Sequence, residues 1–127
     1  MLCDDGSLPQ TSNLVSFGQA AWDAAEKWGH SLDTCYMMRA AMEKAGFIDI
    51  HEKVDKLPIG PWPKDRTLKE AGRLHFHQWT TGLEGWAMYP VTKYGCPQPR
   101  SKEEVHVLVA KARAEIQDSR IHAYQYV

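Results

Sequence analysis

The sequence predicts an α/β fold that is mostly helical, with about four helices and two short strands. Three observations lead to this prediction. Apolar residues recur at three- and four-residue steps in four stretches of the chain, the periodicity of amphipathic helices. Two further stretches alternate apolar and polar residues, as strands with one exposed face do. Glycines, prolines and capping residues separate these stretches.

The first predicted helix follows a loop over residues 4–12 and runs to about Trp28. Ser12 or Thr11 is its expected N-cap, because a hydroxyl there satisfies a free backbone N–H. Gly29 fits the left-handed conformation in which many helices end. The predicted buried stripe consists of Leu14, Phe17, Ala21, Ala24, Ala25 and Trp28.

A second helix is predicted from about Asp33, as its cap, to Ala45, with Gly46 ending it. Residues 47–57 then alternate in the manner of a strand, with Ile48, Ile50 and Val54 on one face. The buried side of the helix is expected to consist of Met37, Met38, Ala41 and Met42.

Three prolines within residues 57–63 predict a rigid connector, since proline removes a hydrogen-bond donor and fixes φ. A third helix is expected from Asp65 or Thr67 to about Trp86, followed by a loose segment from Pro90 to Pro99. The side chains expected on its inner face are Leu68, Ala71, Leu74, Trp79 and Leu83.

The fourth helix has the clearest start, because Ser101 and Glu104 form the pattern of a capping box. Residues 121–127 then predict a closing strand. One face of this helix is traced by Val105, Leu108, Val109, Ala112 and Ile116.

Composition excludes several classes of protein. Lysine and arginine total 15 and aspartate and glutamate total 16, a balance that gives no reason to expect nucleic acid or an anionic membrane as a partner. No apolar run approaches the roughly 18 residues of a membrane span. The three cysteines form no CxxC pair. We therefore expect a soluble protein of the cytoplasm or nucleus, with reduced cysteines.

Few short motifs carry chemistry. None of the nine glycines stands in a GxGxxG or GxxxxGK[ST] spacing, so no nucleotide loop is predicted. His75 and His77 are two residues apart on a predicted helix and would point in different directions, so no metal site is expected. His51, His75 and His122 are candidates for a general base, although exposed structural histidines have the same appearance in a sequence.

Aromatic residues are the better indication of a binding site. Trp62, Trp79 and Trp86 cluster in the connector and the helix that follows it, with Tyr89 close by. Aromatic residues at helical spacing usually belong to a core, but they also line pockets for apolar small molecules. The sequence leaves both interpretations open.

Several runs together resemble the fungal S-adenosylmethionine-dependent methyltransferases of secondary metabolism, including relatives of the nuclear methyltransferase that regulates such pathways. The AGF-to-EKV-to-PIGPWPKD stretch is the most specific of them. In chain order the runs are DDGSLP (4–9), WDAAEKWG (22–29), MEKAGFIDIHEKVDKLPIGPWPKD (42–65), LKEAG (68–72), LEG (83–85), EEV (103–105) and IHAY (121–124).

The resemblance implies a class I, Rossmann-like fold, of which this chain would be the carboxyl-terminal portion without the cofactor-binding first half. The chain would then be a single partial domain. It would divide into a helical segment (1–46), a strand like the sixth of the family (47–57), a helical insertion on the substrate side (58–119) and a truncated closing strand (120–127).

The resemblance further implies methyl transfer from S-adenosylmethionine to a small-molecule acceptor, with this chain as the acceptor-side half, inactive alone and binding no cofactor. Trp62, Trp79, Trp86 and Tyr89 would line the acceptor pocket. The alternatives are a non-catalytic interaction or regulatory protein and a binder of small apolar ligands. We also expect the apolar faces of the first two helices to lack partners and to promote self-association or binding of a partner subunit.

Overall fold

The computed structural model describes residues 1–32 and 34–127, so the predicted cap Asp33 lies outside the described residues. Within these ranges the predicted count of four helices and two short strands is confirmed. The elements in chain order are α1 (Asn13–Trp28), α2 (Thr34–Lys44), β1 (Lys56–Pro58), α3 (Arg66–Tyr94), α4 (Lys102–Ile116) and β2 (Tyr124–Tyr126).

Helices α1, α3 and α4 pack against one another and form the core. The start and end of α1 are as predicted. The Ser12 hydroxyl accepts a hydrogen bond from the Val15 backbone, and Gly29 has a φ of 83°. Because α1 packs against α3 and α4, its apolar face is covered. The prediction that this face lacks a partner is wrong for this helix. Its buried residues are Leu14, Phe17, Ala24 and Ala25, whereas Trp28 is 39% exposed.

Helix α4 begins with the predicted capping box, in which Ser101 and Glu104 satisfy each other's backbone N–H groups. All five residues predicted for its inner face are buried. Local sequence signals were sufficient to predict this helix, because its capping residues and its apolar face both indicate a helix over the same part of the chain.

The carboxylate of Glu115, near the end of α4, caps the start of α1. Its Oε1 accepts from the backbone N–H of Asn13 at 2.9 Å, and its Oε2 accepts from that of Leu14 at 2.8 Å. Burial raises the pKa of Glu115, but these hydrogen bonds outweigh it and hold the pKa below its usual value. A negative charge at a helix N-terminus is favourable, so this contact ties α1 to α4.

Helix α3 is longer than predicted and continues through Pro90 to Tyr94, so the loose segment predicted from Pro90 is wrong over its first five residues. Ala87 and Val91 are buried in the core on either side of the proline. This packing offsets the cost of about 3 kcal/mol that an interior proline carries.

The buried face of α3 also differs from the prediction. Leu68 and Leu74 are 44% and 75% exposed, so their predicted inner position is wrong. Gly72 and His75 are buried instead. The sequence misled here because a glycine and a histidine do not look like core residues, although both face the connector before the helix.

Strands β1 and β2 pair in antiparallel fashion, with Leu57 opposite Gln125. The strand predicted over residues 47–57 is wrong over 47–55, where the chain is largely exposed and has no regular structure. Alternation alone does not make a strand, because its backbone groups need a neighbour. Backbone pairing starts only at Asp55, whose N–H and carbonyl both bond to Val127.

Helix α2 packs against no other helix or strand of the described residues. The predicted burial of Met37 and Met38 is wrong, because the two side chains are 52% and 54% exposed. Ala41 is also exposed, while Met42 is partly buried. Arg39 connects α2 to the segment after it, through a hydrogen bond to the Ile50 carbonyl. The helical periodicity was correct, but no described helix or strand lies opposite the apolar side.

Candidate functional site

The amino-terminal loop, the connector and the segment leading into β2 meet around His122. Leu2 and Tyr124 exchange both backbone hydrogen bonds at 2.9 Å. The Ser7 hydroxyl accepts from the backbone N–H of His122 at 2.8 Å. These contacts create a hollow of about 140 Å³, whose residues we call the acid–histidine cluster: Asp4, Asp5, Trp62, His122 and Tyr124.

Asp5 and His122 form the central pair of the acid–histidine cluster, with 2.5 Å between Oδ2 and Nδ1. The Cys3 thiol and the Ser7 backbone N–H each donate to the other carboxylate oxygen at 3.0 Å. Hydrogen bonds from Cys3, Ser7 and His122 hold the pKa of Asp5 well below its usual range. The carboxylate is therefore charged, and because it only accepts hydrogen bonds, Nδ1 of His122 is the donor in this contact.

Trp62 forms one wall of the hollow, and its orientation is fixed. Its indole N–H donates to the Ala123 carbonyl at 3.1 Å. Its ring stacks on the imidazole of His122, with 5.2 Å between ring centroids and 30° between planes. The side chains of Trp62 and Asp5, which lie far apart in the sequence, thus both hold the imidazole of His122 in place.

A second set of contacts anchors the rim. The Tyr124 hydroxyl donates to Oδ1 of Asp4 at 2.7 Å, and Lys56 Nζ lies 2.5 Å from Oδ2 of the same carboxylate. The hydrogen bond to Asp4 is the main reason that the pKa of Tyr124 rises to about 12. Tyr124 therefore stays protonated at neutral pH and acts as a hydrogen-bond donor, not as a base.

A larger cleft, which we call the connector cleft, shares Trp62 with the hollow and has a volume of about 380 Å³. Its walls come from the connector, α3 and the end of α4. The residues that line it are Ile59, Gly60, Pro61, Trp62, Arg73, Phe76, Ile116, Gln117, Asp118, Ser119 and Ile121.

The four aromatic residues predicted to share a pocket lie apart. Within the described ranges, Trp62 lines both openings, and Trp79, Trp86 and Tyr89 line neither. Trp86 is 65% exposed, and the Tyr89 ring packs on Trp28 at 5.3 Å. Of the predicted set, Trp62 alone stands where a ligand could contact it and His122.

The three candidate histidines separate clearly. His51 is exposed, on the irregular segment after α2. His75 is buried, and both of its ring nitrogens are engaged: Nδ1 lies 2.9 Å from the Pro58 carbonyl, and Nε2 lies 2.9 Å from Nε1 of Trp79. An indole nitrogen only donates, so Nε2 accepts, Nδ1 carries the proton and the ring is neutral. Of the three, His122 alone lines one of the two described openings, where it contacts the carboxylate of Asp5.

Protonation of His75 is expected to destabilise the fold. Burial lowers the pKa of His75 below that of an unfolded histidine. The unfolded chain therefore takes up the proton first, so stability is fully present above about pH 6.5 and falls as the pH drops through and below that value. We expect a lower melting temperature at pH 5.5 than at pH 7.5.

A matched pair of variants isolates this effect. His75→Gln should be less stable at pH 7.5 and should lose less stability between the two pH values than the native chain. His77→Gln changes an exposed neighbour and should keep the native pH dependence. If the native chain and His75→Gln lost the same number of degrees on acidification, the assignment of a neutral, buried His75 would be wrong.

Sequence reasoning missed Asp5, Cys3 and Ser7 as partners of the site. A signal was available, because DDGSLP and IHAY were two of the runs that carried the family resemblance. Asp5 and His122 are separated by 117 positions, however, and no local spacing connects them.

Among the described residues, no strand leads into a helix through a glycine-rich turn, the arrangement in which many α/β folds bind nucleotide cofactors at an open helix N-terminus. Here β1 leads to α3 through a proline-rich connector, and the carboxylate of Asp65 already accepts from the Leu68 N–H at that N-terminus. Among the residues whose side chains the structure describes, no three metal-ligating side chains form a cluster. No described helix is long and apolar enough to span a membrane.

The chain is similar over nearly its whole length to fungal methyltransferases of secondary metabolism. It is 34% identical over 123 residues to the methyltransferase pytC of Aspergillus terreus, covering 97% of this chain and 37% of that protein. It is 31% identical over 125 residues to the secondary metabolism regulator LAE1 of Cochliobolus heterostrophus, covering 98% and 40%. A third relative is the methyltransferase cpsF of Aspergillus campestris, at 27% identity over 98% of this chain and 43% of that protein.

The predicted family resemblance is thereby confirmed: the chain is related to fungal secondary-metabolism methyltransferases and spans about two-fifths of their length. No protein-family model matches the chain, and no solved structure matches it.

Proposed function

We propose that this chain forms the acceptor side of a methyltransferase that modifies a small secondary metabolite at a hydroxyl group. The observation that carries the proposal is the similarity to the methyltransferase pytC along 97% of the chain. The acid–histidine cluster supports it, because it presents an oriented imidazole beside a fixed aromatic wall. S-adenosylmethionine would supply the methyl group, and residues outside this chain would hold it within a Rossmann-like sheet.

The geometry of the acid–histidine cluster supports a role for His122 as a general base. Asp5 keeps the proton of His122 on Nδ1, so Nε2 accepts the proton of an acceptor hydroxyl as that oxygen becomes methylated. Trp62 prevents the imidazole from turning away and gives the acceptor an apolar surface to lie on. We propose residues 58–119 as the substrate-side insertion. Trp62 is its contact with the acceptor, whereas Trp79 donates a hydrogen bond to His75 and Trp86 and Tyr89 are more than half exposed.

A second candidate function is regulation by binding another protein. Relatives such as LAE1 are named as secondary metabolism regulators, and α2 exposes an apolar side that nothing in the described part of the chain covers. In that case the acid–histidine cluster would serve stability alone. The two proposals differ in whether His122 matters for methyl transfer.

A chimera tests the first proposal. The matched 123 residues of the Aspergillus terreus methyltransferase would be replaced by this chain, and transfer of a labelled methyl group would be measured with the parent's acceptor and a panel of hydroxylated aromatic compounds. We expect the chimera to methylate at least one of them. A folded chimera that binds S-adenosylmethionine as the parent does, yet methylates none, would refute the proposal and favour the regulatory role.

A further inference from the structure

The connector cleft has the size and the lining of a small-molecule site. Its volume of about 380 Å³ lies within the range of roughly 300 to 1,000 Å³ that ligand pockets occupy. Much of its wall is apolar and comes from three elements. The connector supplies Ile59 and Trp62, α3 supplies Phe76, and α4 supplies Ile116.

Two of these walls favour a flat ring. Trp62 and Phe76 are aromatic and come from different elements, and the hydrogen bond from the Trp62 indole to Ala123 keeps its plane from turning. Offset stacking and edge contacts between aromatic rings stabilise a complex in addition to the burial of apolar surface. A fixed indole loses little freedom when a ligand stacks on it, so binding costs less.

The charges at the rim distinguish one kind of ligand from another. Two ionised side chains line the cleft, Arg73 and Asp118. Arg120 engages both oxygens of Asp118, with Nε at 2.9 Å from Oδ1 and Nη2 at 2.6 Å from Oδ2. The negative charge of Asp118 is therefore matched by its own partner.

Arg73 is the less satisfied of the two. In the described part of the chain its guanidinium makes one hydrogen bond, from Nη1 to Glu70 at 2.6 Å, and the two side chains are 59% and 58% exposed. An exposed pair of this kind contributes little to stability. The remaining N–H groups of Arg73 can form a paired contact with a ligand carboxylate.

We propose that the connector cleft binds a planar aromatic carboxylic acid, with its rings against Trp62 and Phe76 and its carboxylate on Arg73. Under the proposed function this acid is the methyl acceptor or part of it, since Trp62 also borders the acid–histidine cluster. Binding itself requires neither a methyl donor nor catalysis. The site can therefore be tested on the chain as it stands, and its failure would be distinguishable from failure of methyl transfer.

The probe is 2-naphthoate, and its methyl ester is the uncharged control. Affinities would be measured by isothermal titration calorimetry, and the indole N–H signals of the protein would be followed by NMR, with the Trp62 signal assigned from Trp62→Phe. We expect one molecule of 2-naphthoate to bind, about tenfold more tightly than the ester, because the ester lacks the negative charge with which a carboxylate pairs with Arg73. The Trp62 signal should shift while that of Trp28 stays in place.

Two arginine variants on α3 identify the carboxylate partner. Arg73→Gln should weaken binding of 2-naphthoate about tenfold and leave the ester unchanged, thereby abolishing the preference for the acid. Arg66→Gln is the matched control, because Arg66 is exposed on the same helix and does not line the cleft. Equal binding of acid and ester to the native chain, an equal loss in both variants, or a shift at Trp28 instead of Trp62 would each overturn the proposal.

Discussion

Replacement of Gly72 by alanine is expected to lower the free energy of unfolding by about 3 kcal/mol. A Cβ at this position would lie 2.1 Å from the carbonyl oxygen of Gly60 and 3.2 Å from Cγ of Pro58. The oxygen belongs to the backbone of the connector, whose Gly60 N–H also bonds to the Gly72 carbonyl at 3.2 Å. To make room for the Cβ, the connector backbone would have to move away from α3. A change of side-chain rotamer cannot relieve the clash, because the contacted oxygen is a backbone atom.

Gly85→Ala is the matched control, because it makes the same substitution in the same helix. A Cβ on Gly85 would meet nothing within 4 Å, so the variant should gain up to about 1 kcal/mol from its higher helix propensity. Urea denaturation followed by far-UV circular dichroism measures both variants. A Gly72→Ala protein as stable as Gly85→Ala would show that α3 and the connector are not in close contact.

Gly72 also illustrates what the sequence could predict and what it could not. Helices α1 and α4 were predicted with nearly correct ends, because Ser12, Gly29 and the Ser101 capping box are local signals. Position 72 could only be read as a weak point in a helix, since the reason for its glycine lies at Gly60. The extension of α3 past Pro90 likewise depends on tertiary packing that no local rule contains.

The two errors between residues 34 and 55 have a common cause. The periodicities of α2 and of the segment 47–55 predicted which face of each element would be buried. They did not predict whether anything lies opposite, and in the described structure the side chains of Tyr36 and Ile48 are 70% and 85% exposed. The periodicity of a segment indicates which of its side chains are suited to burial. They are buried only where another part of the structure packs against them.

The candidate site was even less accessible to sequence reasoning. His122 was one of three candidate bases, and Trp62 one of four candidate aromatic residues. The contacts that select them come from Asp5 and Ala123, and they form only when the amino-terminal loop meets the segment before β2. The runs DDGSLP and IHAY marked both halves of the pair, but similarity to a family does not say which residues touch.

His122→Gln is expected to lower the kcat of methyl transfer by about 10²- to 10⁴-fold in the chimera with the Aspergillus terreus methyltransferase, the usual contribution of a positioned general base. Glutamine is close in size and polar, but its amide is not a base. Affinity for S-adenosylmethionine should be unchanged, because the proposed function places the residues that bind this molecule outside this chain. His51→Gln, on the exposed segment after α2, should retain full activity.

The kinetic pattern decides between a base and a structural histidine. Loss of a base lowers kcat while the KM for the acceptor stays near its native value, because the proton is transferred only in the transition state. Asp5→Asn should lower kcat in the same way and by a smaller factor, since it leaves the imidazole in place and removes the charge that orients it. His122 would be a packing residue if His122→Gln left kcat constant and instead raised the KM for the acceptor or lowered the melting temperature followed by the helical signal. The similarity to secondary metabolism regulators would then be the better guide to function.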